Sequence, residues 1–153
     1  MAKFVFKMQS VLTVKEKLED QAKQNYGAML HLLQVEQEEL EHRIEREEMY
    51  REEGKKLREN VLNITSLREN EAALKYMEQA ILQQQSRVKK AEKQVEAARE
   101  KLQEAMIERK TYERLKEKAF EEFKKELLKE ESKEVDQLVS YVYGRKAIQD
   151  NVN

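Results

Sequence analysis

The chain has no cysteine, no proline and no tryptophan, and only three glycines in 153 residues. Without cysteine there is no disulfide staple, no thiol nucleophile and no thiolate zinc site, a composition compatible with a reducing compartment. Without proline nothing interrupts a long helix from within. There is no charge of one sign to spare, because 30 lysines and arginines stand against 31 aspartates and glutamates, a formal net charge of -1. That balance argues against a nucleic-acid binder, which carries a clear basic excess. No apolar run approaches the ~20 residues that span a bilayer. The first residues include Phe4, Val5 and Phe6 but no apolar segment followed by a small-residue cleavage site, so no secretion signal is expected and a cytoplasmic location is.

What is abundant is charge, 40% of all residues, and a spacing. Leu74, Met77, Ile81, Gln84, Val88, Ala91, Val95, Ala98, Leu102, Ala105, Arg109, Tyr112, Lys116, Ala119 and Phe123 alternate strictly four and three apart, and twelve of these fifteen are apolar or aromatic. Such a repeat is a coiled-coil seam, because a period of about 3.5 residues keeps one stripe of an α-helix turned toward a partner helix. The expected fold class is all-α, two long helices forming an antiparallel coiled-coil hairpin, with function residing on a helical surface and not in a pocket.

The chain reads as a single hairpin over residues 1–153. Helix one is expected over about 11–61, a bend over about 62–66, helix two over about 67–141, and a frayed tail over 142–153. Ser10 is the candidate cap of helix one, whose apolar residues, among them Val11, Val14, Leu18, Ala22, Met29, Leu33, Leu40, Ile44 and Leu57, keep only a ragged period. Asn60, Asn63, Thr65 and Ser66 mark the break, and Ser66 with Glu69 makes an S-x-x-E capping box. Gly144 is placed to close helix two in a left-handed conformation.

A short connection between two helices folds them back on each other. Residues 36–53 carry nine glutamates against three arginines, while residues 87–93 carry four basic residues and one glutamate. A bend centred near Ile64 sets residue 36 across from about 92, so part of the acidic stretch meets the basic one. Solvated faces explain the same charge runs equally well. Helix two then outlasts helix one, and the overhang contains Phe120, Phe123, Leu127 and Leu128 at i, i+3, i+7 and i+8 on one face. An apolar stripe of this kind is expected to be covered by another protein. Self-association, or Phe4 and Phe6 folding back on it, are the alternatives. Around the bend the apolar band widens to Tyr50, Met77 and Ala80, either edge positions of the core or an exposed patch.

No catalytic constellation is present, and no cofactor is expected. His31 and His42 lie eleven residues apart, about 16 Å along a helix, too far to share a metal. No glycine-rich phosphate loop or nucleophile elbow occurs.

The opening Phe4-Val5-Phe6-Lys7-Met8-Gln9-Ser10-Val11-Leu12, followed by Lys15-Glu16 and Glu19, resembles the start of the FliJ family, small coiled-coil components of the bacterial flagellar type III export apparatus. Tyr76-Met77-Glu78-Gln79-Ala80-Ile81, then Tyr112-Glu113-Arg114-Leu115-Lys116-Glu117-Lys118 with Phe120 and Phe123, and finally Glu134-Val135-Asp136-Gln137-Leu138, are similar to later parts of that family. Tyr141-Val142-Tyr143-Gly144 is the departure from it. The resemblance implies a non-enzymatic stalk at the cytoplasmic face of the inner membrane. It implies insertion of the terminal end into the hexameric flagellar export ATPase, where the overhanging Phe120, Phe123, Leu127 and Leu128 would be the docking residues. It also implies a bend presented to the membrane export-gate protein, through Tyr50, Met77 and Ala80, and the escort of export chaperones and their cargo. Two other functions fit the residues: a self-associating structural scaffold, and a hairpin-type holdase chaperone.

Overall fold

The protein is represented by a computed structural model that describes residues 2–59 and 61–152. Two helices account for almost all of it: α1, Gln9–Glu59, and α2, Ile64–Val152, with no strand among the described residues. They pair antiparallel as a helical coiled-coil hairpin. By contacts the chain falls into two compact units, Leu18–Ala105, which contains the bend, and Met1–Lys17 with Met106–Asn153, which contains both chain ends.

The helix ends differ from the sequence expectation, each for a local reason. Asn63, and not Ser66, caps α2. Its Oδ1 accepts from the amides of Thr65 at 3.1 Å and Ser66 at 3.3 Å, while its carbonyl accepts from Leu67, so the helix starts at Ile64. Asparagine is among the strongest N-caps, and once it holds the Ser66 amide, Ser66 sits inside the first turn. Asn60 lies outside the described residues. At the start of α1 the Met8 carbonyl accepts from Leu12 at 3.0 Å, which places Ser10 inside the helix and not at its cap. α2 also continues past Tyr141 to Val152, with no glycine at positive φ. Gly144 costs a helix about 1 kcal/mol, but Arg145, Lys146 and Ala147 after it favour helix and no proline follows to stop it.

In the bend-containing unit every α2 position of the four-three repeat from Leu74 to Ala105 is buried or half-buried, and Asn70 extends the repeat toward the cap. α1 turns out to be equally regular. Its inward positions are Ala22, Tyr26, Met29, Leu33, Glu36, Leu40, Arg43, Glu47, Tyr50, Gly54 and Leu57, again four and three apart. The ragged appearance came from counting only apolar residues: Leu18 and Ile44 are exposed, while Glu36, Arg43 and Glu47 face inward. Long charged side chains can do this by laying their methylene stems against the seam.

Hydrogen bonds from side chains to backbone carbonyls cross from one helix to the other and fix the register. Asn70 Nδ2 donates to the Tyr50 carbonyl at 2.8 Å, Arg43 Nη1 to the Ala80 carbonyl at 2.7 Å, and Gln84 Nε2 to the Glu36 carbonyl at 2.9 Å. Glu36 therefore faces Gln84 and not the neighbourhood of Glu92. The expected match between the acidic and basic stretches is not what aligns the helices. Glutamates of the acidic stretch pair along their own helix instead, as in Glu39 with Arg43 at 3.1 Å and Glu47 with Arg51. Such pairs are worth only a few tenths of a kcal/mol.

Candidate docking surfaces

The unit that holds both chain ends is organised by the extended lead before α1. Phe4 sets its ring edge-on to Phe120, with centroids 5.2 Å apart and planes at 67°, and 5.5 Å from Phe123 at 53°. Edge-to-face pairs at this separation add about 0.5–1.5 kcal/mol beyond burial. Lys124 lies over the outer side of Phe120, 4.6 Å from its centroid. Leu12 is buried beneath them, and Lys15 donates to Glu108 at 2.8 Å. That hydrogen bond raises the Lys15 ammonium above the ordinary lysine value, against a smaller opposing effect of desolvation.

Phe120 and Phe123 are thus not bare, as the overhang reading had them. α1 does not reach them, but the lead does, and Phe120 remains 39% exposed while Phe123 is half-buried. An open groove beside them is lined by Phe4, Leu12 and Phe120, with Glu16, Glu113 and Lys116 at its edge. Leu127 is half-buried and Leu128 is 65% exposed, and from Leu128 to Val152 every residue of α2 is exposed. The four predicted residues do share one stripe, now half covered by the chain's own N-terminal segment.

The bend patch does not exist as an exposed surface. Met77 is 4% exposed, seated in the seam between the helices, as its place in the four-three repeat requires. Tyr50 and Ala80 are half-buried, and their carbonyls are taken by Asn70 and Arg43. The exposed large apolar side chains at this end are Val61, Leu62 and Ile64 in and beside the connection, and Tyr76 and Met49, which point off the seam. Tyr76 and Met49 were not among the residues assigned to the gate, although each lies one position before a seam residue.

His31 and His42 are exposed, and no cluster of potential metal ligands occurs among the described residues. No helix among them is long and apolar enough to cross a membrane. Residues 4–147 match the family described as flagellar FliJ protein. The chain belongs to the FliJ family. The match spans nearly the whole sequence and includes Tyr141-Val142-Tyr143-Gly144, the segment that had looked like a departure. Among solved structures the chain is similar to CT670 of Chlamydia trachomatis, described as a YscO homologue, at 21% identity with a TM-score of 0.72. The similarity covers 92% of this chain and 96% of that one, and supports the two-helix fold. Comparison with curated protein sequences returns no match. As a FliJ protein the chain is a component of a type III export apparatus, in a family of structural components.

Proposed function

We propose that this FliJ protein is the stalk of its export apparatus. The unit with both chain ends docks in the hexameric export ATPase, and the bend unit meets the membrane export gate. The observation that carries the reading is the stripe around Phe120. Four large apolar side chains line one face of α2, the N-terminal lead covers only the first two, and Leu127 and Leu128 lie past the Phe4 contact. An exposed leucine beside a half-exposed aromatic cluster is a natural anchor for a surrounding protein lumen, since burying each such side chain is worth roughly 1.5–3 kcal/mol. At the bend Val61, Leu62 and Ile64 are exposed, and Tyr76 and Met49 add exposed apolar side chains farther along the two helices, all available to a gate protein. In this reading the protein works at the cytoplasmic face of the inner membrane, escorts export chaperones, and leaves nucleotide chemistry to the ATPase.

Binding of the purified chain to the export ATPase, with stimulation of ATP hydrolysis as a second readout, tests this. Leu127→Ser with Leu128→Ser leaves the Phe4 cluster in place and should retain the helical circular dichroism. It is expected to weaken binding by at least tenfold and to remove the stimulation. Unaltered binding would place the docking surface elsewhere.

A further inference from the structure

The end of α2 beyond Leu128 carries a second pattern that the stalk reading does not use. Leu128, Glu131, Val135, Leu138, Val142, Arg145, Gln149 and Val152 again alternate three and four apart, and all of them are exposed. Val139 and Tyr141 flank the middle of this stripe. Residues 137–144 hold no charge at all, in a chain that is 40% charged. A helix of this length, uncovered on its apolar side, is marginal in water by itself.

The charges around the apolar centre have an order. On the inward arc, Glu131 and Glu134 lie before it and Arg145 and Lys146 lie after it, while Lys129, Lys133 and Asp136 fall on the outer side of the helix. A helix that is acidic at one end of its stripe and basic at the other is complementary to itself when turned end for end. In an antiparallel coiled coil the two kinds of seam position face each other. Centring the pair on Ser140 sets Leu138 against Val142 of the second copy, Val135 against the stem of its Arg145, and Leu128 against its Val152. The same centring brings Glu131 and Glu134 near Arg145 of the second copy, on the same flank of the seam. A parallel pair would instead set Glu131 against Glu131 and Arg145 against Arg145, like against like.

We infer that a second copy of this chain covers the end of α2, in an antiparallel, two-fold symmetric pair centred on Ser140. Such an interface is isologous, so it closes at two copies. It goes beyond the ATPase reading and uses different residues, apart from Leu128.

Sedimentation equilibrium of the full chain, at tens of micromolar and low salt, tests it. The chain is expected to be a dimer. Leu138→Glu with Val142→Glu should weaken dimerisation at least tenfold and leave the melting of the hairpin unchanged, because neither residue touches α1. Glu131→Lys with Glu134→Lys should also weaken it, and adding Arg145→Glu to the same chain should restore it. A monomeric wild-type chain overturns the inference. So does a Leu138→Glu, Val142→Glu chain that still dimerises, or a charge reversal without rescue. Binding to the ATPase is measured separately, so loss of one result leaves the other standing.

Discussion

Replacing Gly54 with alanine is expected to destabilise the hairpin, whereas the same change at Gly27 is expected to stabilise it. Both glycines lie inside α1, where alanine is favoured by about 1 kcal/mol. At Gly27 the new methyl group meets nothing within 4 Å, so the propensity gain stands alone. At Gly54 it would lie 2.6 Å from Asn70 Oδ1 and 3.3 Å from its Cγ. Asn70 is 8% exposed and cannot yield without turning its amide away from the Tyr50 carbonyl, which it binds at 2.8 Å. Stranding a buried amide costs about 1–3 kcal/mol, and overpacking adds a similar amount. The net effect is a loss of about 1–5 kcal/mol, opposite in sign to Gly27→Ala. Urea unfolding followed by circular dichroism measures both. In an Asn70→Ala background the obstruction is gone, and Gly54→Ala should become neutral or stabilising, so the two sites are energetically coupled. If Gly54→Ala stabilises the intact chain as Gly27→Ala does, the close packing of α1 on Asn70 is wrong.

Two further outcomes follow from the register. Cysteines at Glu36 and Gln84 should cross-link within one chain under mild oxidation, and cysteines at Glu36 and Glu92 should not; the reverse result would restore the alignment by charge. Gln84 is fully buried with its Oε1 unpaired, so Gln84→Leu should raise stability by about 1 kcal/mol in thermal unfolding, and a lower melting temperature would mean that its bonds to Glu36 outweigh the orphan oxygen.

How legible each helix was depended on what fills its inward positions. In α2 these are mostly alanine, valine, leucine and methionine, and the seam could be read directly from the spacing. In α1 the repeat passes through Lys15, Glu19, Glu36, Arg43 and Glu47, which an apolar count discards, so a perfectly regular helix looked irregular. The cap was misplaced by three residues because Ser66 and Glu69 form a recognisable box, while Asn63 acts through a single side-chain oxygen. Met77 carried its own correction, since a residue on the seam is not also free to face a partner. The stripe at Phe120, Phe123, Leu127 and Leu128 was legible because it is apolar and periodic. Its covering by Phe4 was legible only as one alternative among several, because an extended segment has no period to show where it will lie.

The cross-helix contacts also set an order of assembly. Asn70 and Tyr50 are separated by 20 residues of chain, Arg43 and Ala80 by 37, Gln84 and Glu36 by 48, and Lys15 and Glu108 by 93. The entropic cost of closing a loop rises with its length, and each pair, once formed, shortens the loop left for the next. Folding therefore proceeds as a zipper that starts beside the Asn63 cap and reaches Phe4 last, and opening runs the other way. The aromatic cluster that half covers the α2 stripe is thus the part of the molecule most readily released, so the chain can bare Phe120 and Phe123 by fraying its first residues while the bend remains paired.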